Sequence, residues 1–188
     1  MKKYNFIAIS GSLRKNSYNT MVLRAAQKIA PEYISIEQLS IADVLLYNAD
    51  LYSDNFPPAV DKLAEAVKAS NAVIIVTPEY NYSIPGVLKN AIDFLSRSPK
   101  KPFEMKAVGI MGASPGMLGS ARAQYHLRQV MVFLNAYVMN RPEIFISQVN
   151  TKFNQSGELI DDEIAVQIRK FIESLAEFSE RVSGKFSD

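Results

Sequence analysis

The stretch NAVIIVTP, residues 71–78, is a nearly unbroken run of β-branched and other apolar side chains. A strand with one face in solvent alternates between apolar and polar residues, and this run does not alternate. Such a pattern is typical of a strand whose two faces are both covered by helices. The run therefore predicts a central strand of a parallel sheet.

Strand-like and helix-like patterns alternate on both sides of this run. Four further strands are predicted, at YNFIAIS (4–10), ISIEQLS (34–40), KAVGIMG (106–112) and PEIFISQ (142–148). Helices are predicted at 19–29, from the prolines at 57 and 58 to about 69, at 85–97, at 120–134, and along a final apolar stripe from Ile164 to Val182. Five strands that alternate with helices predict an α/β fold, with a five-stranded parallel sheet and helices on both faces.

The composition indicates one globular domain over residues 1–188. Apolar residues make up 48% of the chain, and the net charge of +2 gives no indication of a nucleic-acid partner. The chain has no cysteine and one histidine, which excludes a disulfide, a thiolate metal site and a catalytic thiol; no metal-binding motif is visible. No apolar run approaches the ~20 residues that cross a bilayer, so we expect a cytoplasmic protein with no membrane partner.

The loop after the first strand, within ISGSLRKNSYNT (9–20), is rich in groups that bind anions. Ligands of doubly wound sheets bind at the carboxyl ends of the strands, where a helix start offers unpaired N–H groups. Ser12 and Ser17 add hydroxyl donors. Asn19 adds an amide, and Arg14 adds a guanidinium. The loop matches neither G-x-G-x-x-G nor G-x-x-x-x-G-K-[ST], which favours a single phosphate over a pyrophosphate. The alternative is a polar turn in which Ser17 only caps the helix.

Two more loops at the same predicted edge have compositions suited to a ligand. TPEYNYSIPG (77–86) follows the most buried strand, and its tyrosines and prolines would form a rigid edge on which a flat heterocycle can stack. GASPGMLGS (112–120) has small residues through which a backbone can approach a ligand closely. Taken singly, the first is equally a surface loop whose tyrosines pack on helices, and the second a flexible turn.

Three segments together resemble the signature segments of the NADPH-dependent FMN reductase family. They are GSLRKNSYN, PEYNYSIPGVLKNAIDFLSR and GASPGMLGSARAQYHLR, and the resemblance extends over roughly residues 4–148. That family includes quinone, azo-dye and chromate reductases. The resemblance implies a flavodoxin-like three-layer sandwich and a bound FMN, whose phosphate would lie in the first loop.

The resemblance also implies a role for particular residues. The FMN phosphate would be bound by Ser12, Arg14, Ser17 and Asn19, with the backbone at Tyr18. The isoalloxazine ring would be lined by Pro78, Glu79, Tyr80 and Asn81, mostly through main-chain groups, and bordered by Ser114 and Gly116. No side chain is assigned as a catalyst, because hydride chemistry takes place on flavin N5. We expect His126 to be a surface or interface residue, and the Glu79 carboxylate to be solvated or at an interface.

The function implied by the resemblance is that of an FMN-dependent NAD(P)H oxidoreductase. Electrons would pass from NADPH or NADH through FMN to a small acceptor by a ping-pong mechanism. The acceptor would be a quinone, a flavin, an azo compound or a metal oxyanion such as chromate. The alternative is a flavodoxin-type FMN electron carrier that acts on a protein partner.

The family resemblance and an apolar surface both favour a homodimer or homotetramer. On the helix at 85–97, Val87 and Phe94 widen the apolar arc beyond what one side of a sheet requires. A second subunit would cover the excess, with Arg122, Tyr125 and Glu143 as a polar link. The alternative is that the long loop at 41–56, whose role the sequence does not reveal, folds over this helix.

Overall fold

A single parallel sheet organises the part of the chain that this computed structural model describes, residues 2–52 and 56–184. Six strands are found in these ranges: β1 (Tyr4–Ser10), β2 (Ile34–Leu39), β3 (Ala72–Val76), β4 (Ala107–Ala113), β5 (Tyr137–Val138) and β6 (Ile144–Ile146). The helices are α1 (Tyr18–Ile29), α2 (Pro58–Ala69), α3 (Gly86–Arg97), α4 (Ala121–Phe133) and α5 (Asp162–Val182). Short 3-10 turns lie at Ala49–Tyr52 and Val149–Thr151.

The strand order is β2-β1-β3-β4-β5, and every pairing is parallel. The chain runs outward from β1 to β2 and then crosses to the other side of β1 for β3. The order therefore reverses between β1 and β3, which is where doubly wound sheets bind their ligands. The loops after these two strands flank that point.

Helices cover both faces of the sheet, as the sequence predicts. α1 and α5 pack on one face, and α2, α3 and α4 pack on the other. β3 contributes to both cores, because Ile74 and Val76 face α1 and α5 while Val73 and Ile75 face the other three helices. All five β3 side chains are fully buried. The predicted three-layer α/β fold is confirmed.

The fifth position of the sheet differs from the sequence prediction of one strand at 142–148. Two short strands fill it: β5 pairs with the beginning of β4 and β6 with its end. Between them the chain passes through Arg141 and Pro142, and proline has no N–H to donate to a ladder. Hydrogen bonding along this side of β4 is therefore interrupted.

The long loop at 41–56 packs against α3 in the part that the structure describes. The Asn90 side chain donates to the Leu45 carbonyl at 2.8 Å and accepts from the Tyr47 N–H at 2.7 Å. The Tyr47 and Phe94 rings meet edge to face with 5.1 Å between centroids, and Phe94 has no exposed surface. The expectation that Phe94 requires a partner subunit is therefore wrong, because this loop covers it.

Among the described residues, the structure contains no helix with the length and apolarity that a membrane span requires.

Candidate functional site

The loop between β1 and α1 presents groups that no described residue uses. Ser17 is the N-cap of α1, but its hydroxyl makes no capping hydrogen bond. The backbone N–H groups of Tyr18 and Asn19 also find no acceptor among the described residues, as expected at a helix start. The Arg14 side chain is exposed and forms no ion pair with a described residue. The capping alternative for Ser17 is therefore not what the structure adopts.

The Asn19 side chain joins this loop to the end of β4. Its amide nitrogen donates to the Ala113 carbonyl at 3.0 Å, and its amide oxygen accepts from the Ala113 N–H at 2.9 Å. Asn19 is nearly fully buried. Since the amide nitrogen and oxygen both bind Ala113, the group of Asn19 that has no partner among the described residues is its backbone N–H. The sequence prediction did not include this structural role.

The loop after β3 forms a tight turn held in an uncommon conformation. Tyr80 and Ser83 exchange two backbone hydrogen bonds, at 2.9 and 3.0 Å. Between them Asn81 and Tyr82 have φ values of 50° and 69°, in the left-handed region that residues other than glycine seldom adopt. Tyr80 and Asn81 are exposed, whereas Pro78 is buried at the base of the loop.

The Glu79 carboxylate lies against α4 rather than in solvent. Its Oε2 accepts from the backbone N–H groups of Arg122 and Ala123, at 3.0 and 3.2 Å, and its Oε1 lies 3.3 Å from Arg122 Nη1. Only 14% of the side chain is exposed. Of the two expected environments, solvent or an interface, the solvated one is not what the structure adopts, since the start of α4 holds the group. His126 is on the surface as predicted, with Nδ1 3.1 Å from Ser83 Oγ.

The loop after β4 is fixed by the chain that follows β6. The Ser114 N–H donates to the Ile146 carbonyl at 3.0 Å, and the Ser114 and Gly116 carbonyls accept from Val149 and Gln148. Gly116 is exposed, and a Cβ there would have only Ser114 Oγ, at 3.9 Å, as a neighbour within 4 Å. The backbone at 116 therefore faces open space at the edge where the other two loops lie.

The groups at this edge fit a phosphate joined to a flat ring. The loop that leads into α1 carries N–H groups, a hydroxyl and a guanidinium that have no partner among the described residues, and an anion can use all three. The three loops at this edge also carry exposed apolar side chains: Leu13, Tyr80, Tyr82, Met117 and Leu118. A flavin held here would supply hydride and electron transfer, and the protein would bind and orient it.

Comparisons with known proteins agree with this geometry. The family model described as NADPH-dependent FMN reductase matches residues 4–151. The chain is 46% identical to an NAD(P)H-dependent FMN reductase from Pseudomonas aeruginosa over 95% of its own length and 96% of that protein. It is 47% identical to a quinone reductase from Escherichia coli, over 96% and 98% of the two chains. The solved structure of FerB, a flavoenzyme NAD(P)H:(acceptor) oxidoreductase from Paracoccus denitrificans, superposes with a TM-score of 0.86 at 32% identity, covering 95% and 98%.

The fold and these likenesses define the class as a flavodoxin-like oxidoreductase. Within that class, the chain belongs to the NADPH-dependent FMN reductase family. Its cofactor is accordingly FMN, and its reductant is a reduced nicotinamide.

Some residues that shape this edge escaped the sequence analysis. Gln124 is fully buried in α4 and donates to the Ile144 carbonyl at 2.9 Å. The third loop is held by the backbone N–H groups of Gln148, the last residue of the strand predicted at 142–148, and of Val149, which follows it. A glutamine on the buried face of a helix is a detectable signal for a polar anchor. The backbone contacts of Gln148 have no such signal, because any residue type can make them.

Proposed function

We propose that the chain reduces small, flat, largely apolar acceptors, with quinones as the best substrates, in a ping-pong reaction through FMN. Free flavins and azo compounds share the flat shape and would be accepted, whereas a metal oxyanion such as chromate is neither flat nor apolar and would be a poorer acceptor. The proposal is supported by the exposed apolar rim of the three loops, including Leu13 and Met117 with 50% and 73% exposed surface. The name of the E. coli relative points the same way.

The FMN phosphate would bind at the start of α1, and this assignment depends on one observation above all. The Arg14 guanidinium, the Ser17 hydroxyl and the first N–H groups of α1 lie within six residues of chain and have no side-chain or backbone partner among the described residues. The buried Ser12 hydroxyl lies beside them and accepts a long contact from the Arg14 N–H, at 3.4 Å. The ring would lie against Pro78, Glu79, Tyr80 and Asn81, chiefly on their main chain, with Ser114 and Gly116 at its border.

The Arg14→Ala variant tests this assignment. Loss of a charge-assisted hydrogen bond should weaken FMN binding by about 1.5–3 kcal/mol, measured by titrating apoprotein with FMN and following flavin fluorescence. Lys152→Ala, which removes a cation that pairs with Asp161 instead, is the control and should bind FMN normally. Unchanged FMN affinity in the Arg14 variant would contradict the phosphate assignment.

The alternative function is that of an FMN electron carrier with a protein partner. The two functions, oxidoreductase and electron carrier, are distinguished by adding NADPH or NADH alone to the FMN-loaded protein under anaerobic conditions. An oxidoreductase loses its flavin absorbance within the mixing time or soon after, whereas a carrier is not reduced directly. Comparing the two nicotinamides in the same experiment also measures which one is preferred.

Association into a homodimer or homotetramer is the remaining part of the proposal. Val87 on α3 and Tyr125 on α4 are 37% and 55% exposed, and a groove of about 380 Å³ runs between the two helices beside His126. Within one chain Arg122 already contacts Glu79, and Glu143 lies 3.9 Å from Arg128, so a polar link between subunits would add to these contacts. Light scattering at micromolar concentration tests the proposal, and a stable monomer with full activity would contradict it.

A further inference from the structure

The Glu79 carboxylate lies in the loop that would receive the flavin ring, yet its hydrogen bonds to described residues go to the start of α4. We propose that Glu79 is a positioning residue: by capping α4 from outside the helix, it holds the turn at 79–83 in the shape that binds the isoalloxazine ring. The inference rests on the proposed FMN site. In this inference the side chain of Glu79 binds the start of α4, and only the main chain of Glu79 contacts the ring.

The start of α4 lacks a cap of its own. Ser120 occupies the N-cap position but has a left-handed backbone, with φ of 67°, and its side chain makes no capping bond. The first turn contains no acidic residue. Helix starts leave N–H groups unsatisfied and favour negative charge, and the Glu79 carboxylate meets both needs. Glu79 is 43 residues away from the helix residue that it contacts.

Arg122 also contacts the turn on its other side. Arg122 approaches Glu79 with its guanidinium and lies over the Tyr82 ring, with Cζ 3.9 Å from the centroid. Glu79 and Tyr82 are thus both held by one residue of α4. Tyr80 and Asn81, two residues proposed to line the ring, lie between the two held positions.

The contacts of Arg122 with Glu79 and Tyr82 account for the left-handed φ values in the turn. Left-handed φ values at Asn81 and Tyr82 persist only where the surrounding contacts determine them. The Tyr80–Ser83 backbone pair supplies part of that determination, and the Arg122 contacts at positions 79 and 82 supply the rest. Removing the carboxylate should therefore change the main-chain surface that faces the flavin, even though the carboxylate itself lies elsewhere.

The test uses Glu79→Ala and Glu79→Gln in the full chain. FMN affinity of the apoprotein, the absorbance and circular dichroism spectra of bound FMN, and the melting temperature of the apoprotein are measured for each. We expect Glu79→Ala to weaken FMN binding about tenfold and to alter the bound-flavin spectra. Glu79→Gln keeps one carbonyl oxygen for the two N–H groups, so we expect a smaller loss. Glu104→Ala, which removes a surface carboxylate paired with Lys101, is the matched control.

A second change separates positioning from helix stability. Ala121→Glu, in the Glu79→Ala background, returns a carboxylate to the first turn of α4 without connecting the helix to the turn at 79–83. We expect the melting temperature to recover and the FMN affinity and spectra to remain altered. Recovery of FMN affinity together with the melting temperature would overturn the inference, because Glu79 would then act only through α4.

The outcomes also separate this inference from the FMN site on which it rests. If Arg14→Ala weakens FMN binding while both Glu79 variants bind FMN like the unmodified protein, the site stands and the positioning role is overturned. If neither substitution affects FMN binding, the proposed site itself is wrong. If both weaken binding and Ala121→Glu restores only the melting temperature, the site and the positioning role are both supported.

Discussion

Asn19 and Ala113 exchange two hydrogen bonds across 94 residues of sequence, with the side-chain amide of the first pairing with the backbone of the second. The contacts of β3 with β4 reach Thr77, whose N–H donates to the Met111 carbonyl at 3.0 Å. The Asn19 amide continues the hydrogen bonding of β4 beyond that point. It thereby fixes the first loop to the edge where the third loop begins.

Replacing Asn19 with alanine should destabilise the protein by about 2–4 kcal/mol, because two buried backbone groups of Ala113 would lose their partner. Urea denaturation of the apoprotein measures the change. Asn150→Ala, at an exposed position, is the control and should stay within about 0.5 kcal/mol of the unmodified protein. If Asn19→Ala changed the free energy of unfolding as little as Asn150→Ala does, other groups or water would have to replace the amide as partners of Ala113.

Gly116→Ala should leave the apoprotein intact and weaken FMN binding about tenfold. Apart from its two chain neighbours, the described residues place nothing closer to the added methyl group than Ser114 Oγ at 3.9 Å, so we expect the methyl group to obstruct a ligand and not the fold. Melting temperature and FMN titration are measured together. Unchanged FMN affinity of this variant would mean that Gly116 does not border the ring.

Gly112→Ala is expected to give the opposite result, a direct loss of stability of at least about 1–3 kcal/mol from overpacking. A Cβ at position 112 would overlap the Ser120 hydroxyl and lie 2.5 Å from the Thr77 carbonyl oxygen. Denaturation of the apoprotein measures the loss. A variant as stable as the unmodified protein would show that Ser120 can move aside at little cost.

Steady-state kinetics should give parallel lines in double-reciprocal plots of initial rate against one substrate at several concentrations of the other. We expect the nicotinamide and the acceptor to use the same exposed face between the three loops, so that one must leave before the other binds. A quinone and a flavin should each give this pattern. Intersecting lines would indicate that both substrates bind at once.

The pH dependence of stability should show a loss at alkaline pH that depends on Tyr4. Burial, reinforced by the hydrogen bond that Tyr4 donates to Glu180, raises the pKa of Tyr4 from 10.0 to about 12. Between these values the unfolded chain releases the proton and the folded chain keeps it, so stability falls as the pH rises through this window.

An ultraviolet titration that follows tyrosinate absorbance checks this prediction. We expect one tyrosine to ionise near pH 12 in the folded protein, and Tyr4→Phe to remove that step. Tyr137→Phe, at an exposed position, should leave it in place. A titration in which Tyr4→Phe changes only a step near pH 10 would contradict the raised pKa.

The layers of the fold follow from the sequence because they depend on local patterns. The apolar run at 71–78 contains β3, which is buried on both faces, and the stripe from Ile164 to Val182 lies along the side of α5 that packs on the sheet. β5 has only two residues, and two residues have no recognisable period. Its existence depends on the neighbouring β4 and was not predicted.

Some features of the site likewise depend on neighbouring residues in the sequence, and others depend on residues far along the chain. The unused hydroxyl of Ser17 and the exposed Arg14 follow from a loop that leads into a helix. The partner of Glu79 does not, because the contact joins the loop after β3 to the start of α4, 43 residues further along the chain. Asn19 likewise finds Ala113 only after β1, β3 and β4 have assembled.

The divided fifth position of the sheet also makes that edge a poor template for a strand from another molecule. β5 and β6 have two and three residues, so the outer side of the sheet offers no long row of free N–H and C=O groups to a strand from another molecule. Arg141 and Pro142 interrupt that row with a charge and a residue that cannot donate. Pairing with a strand of another molecule should therefore be disfavoured at this edge, and the six-residue β2 at the opposite edge is the longer of the two described edges.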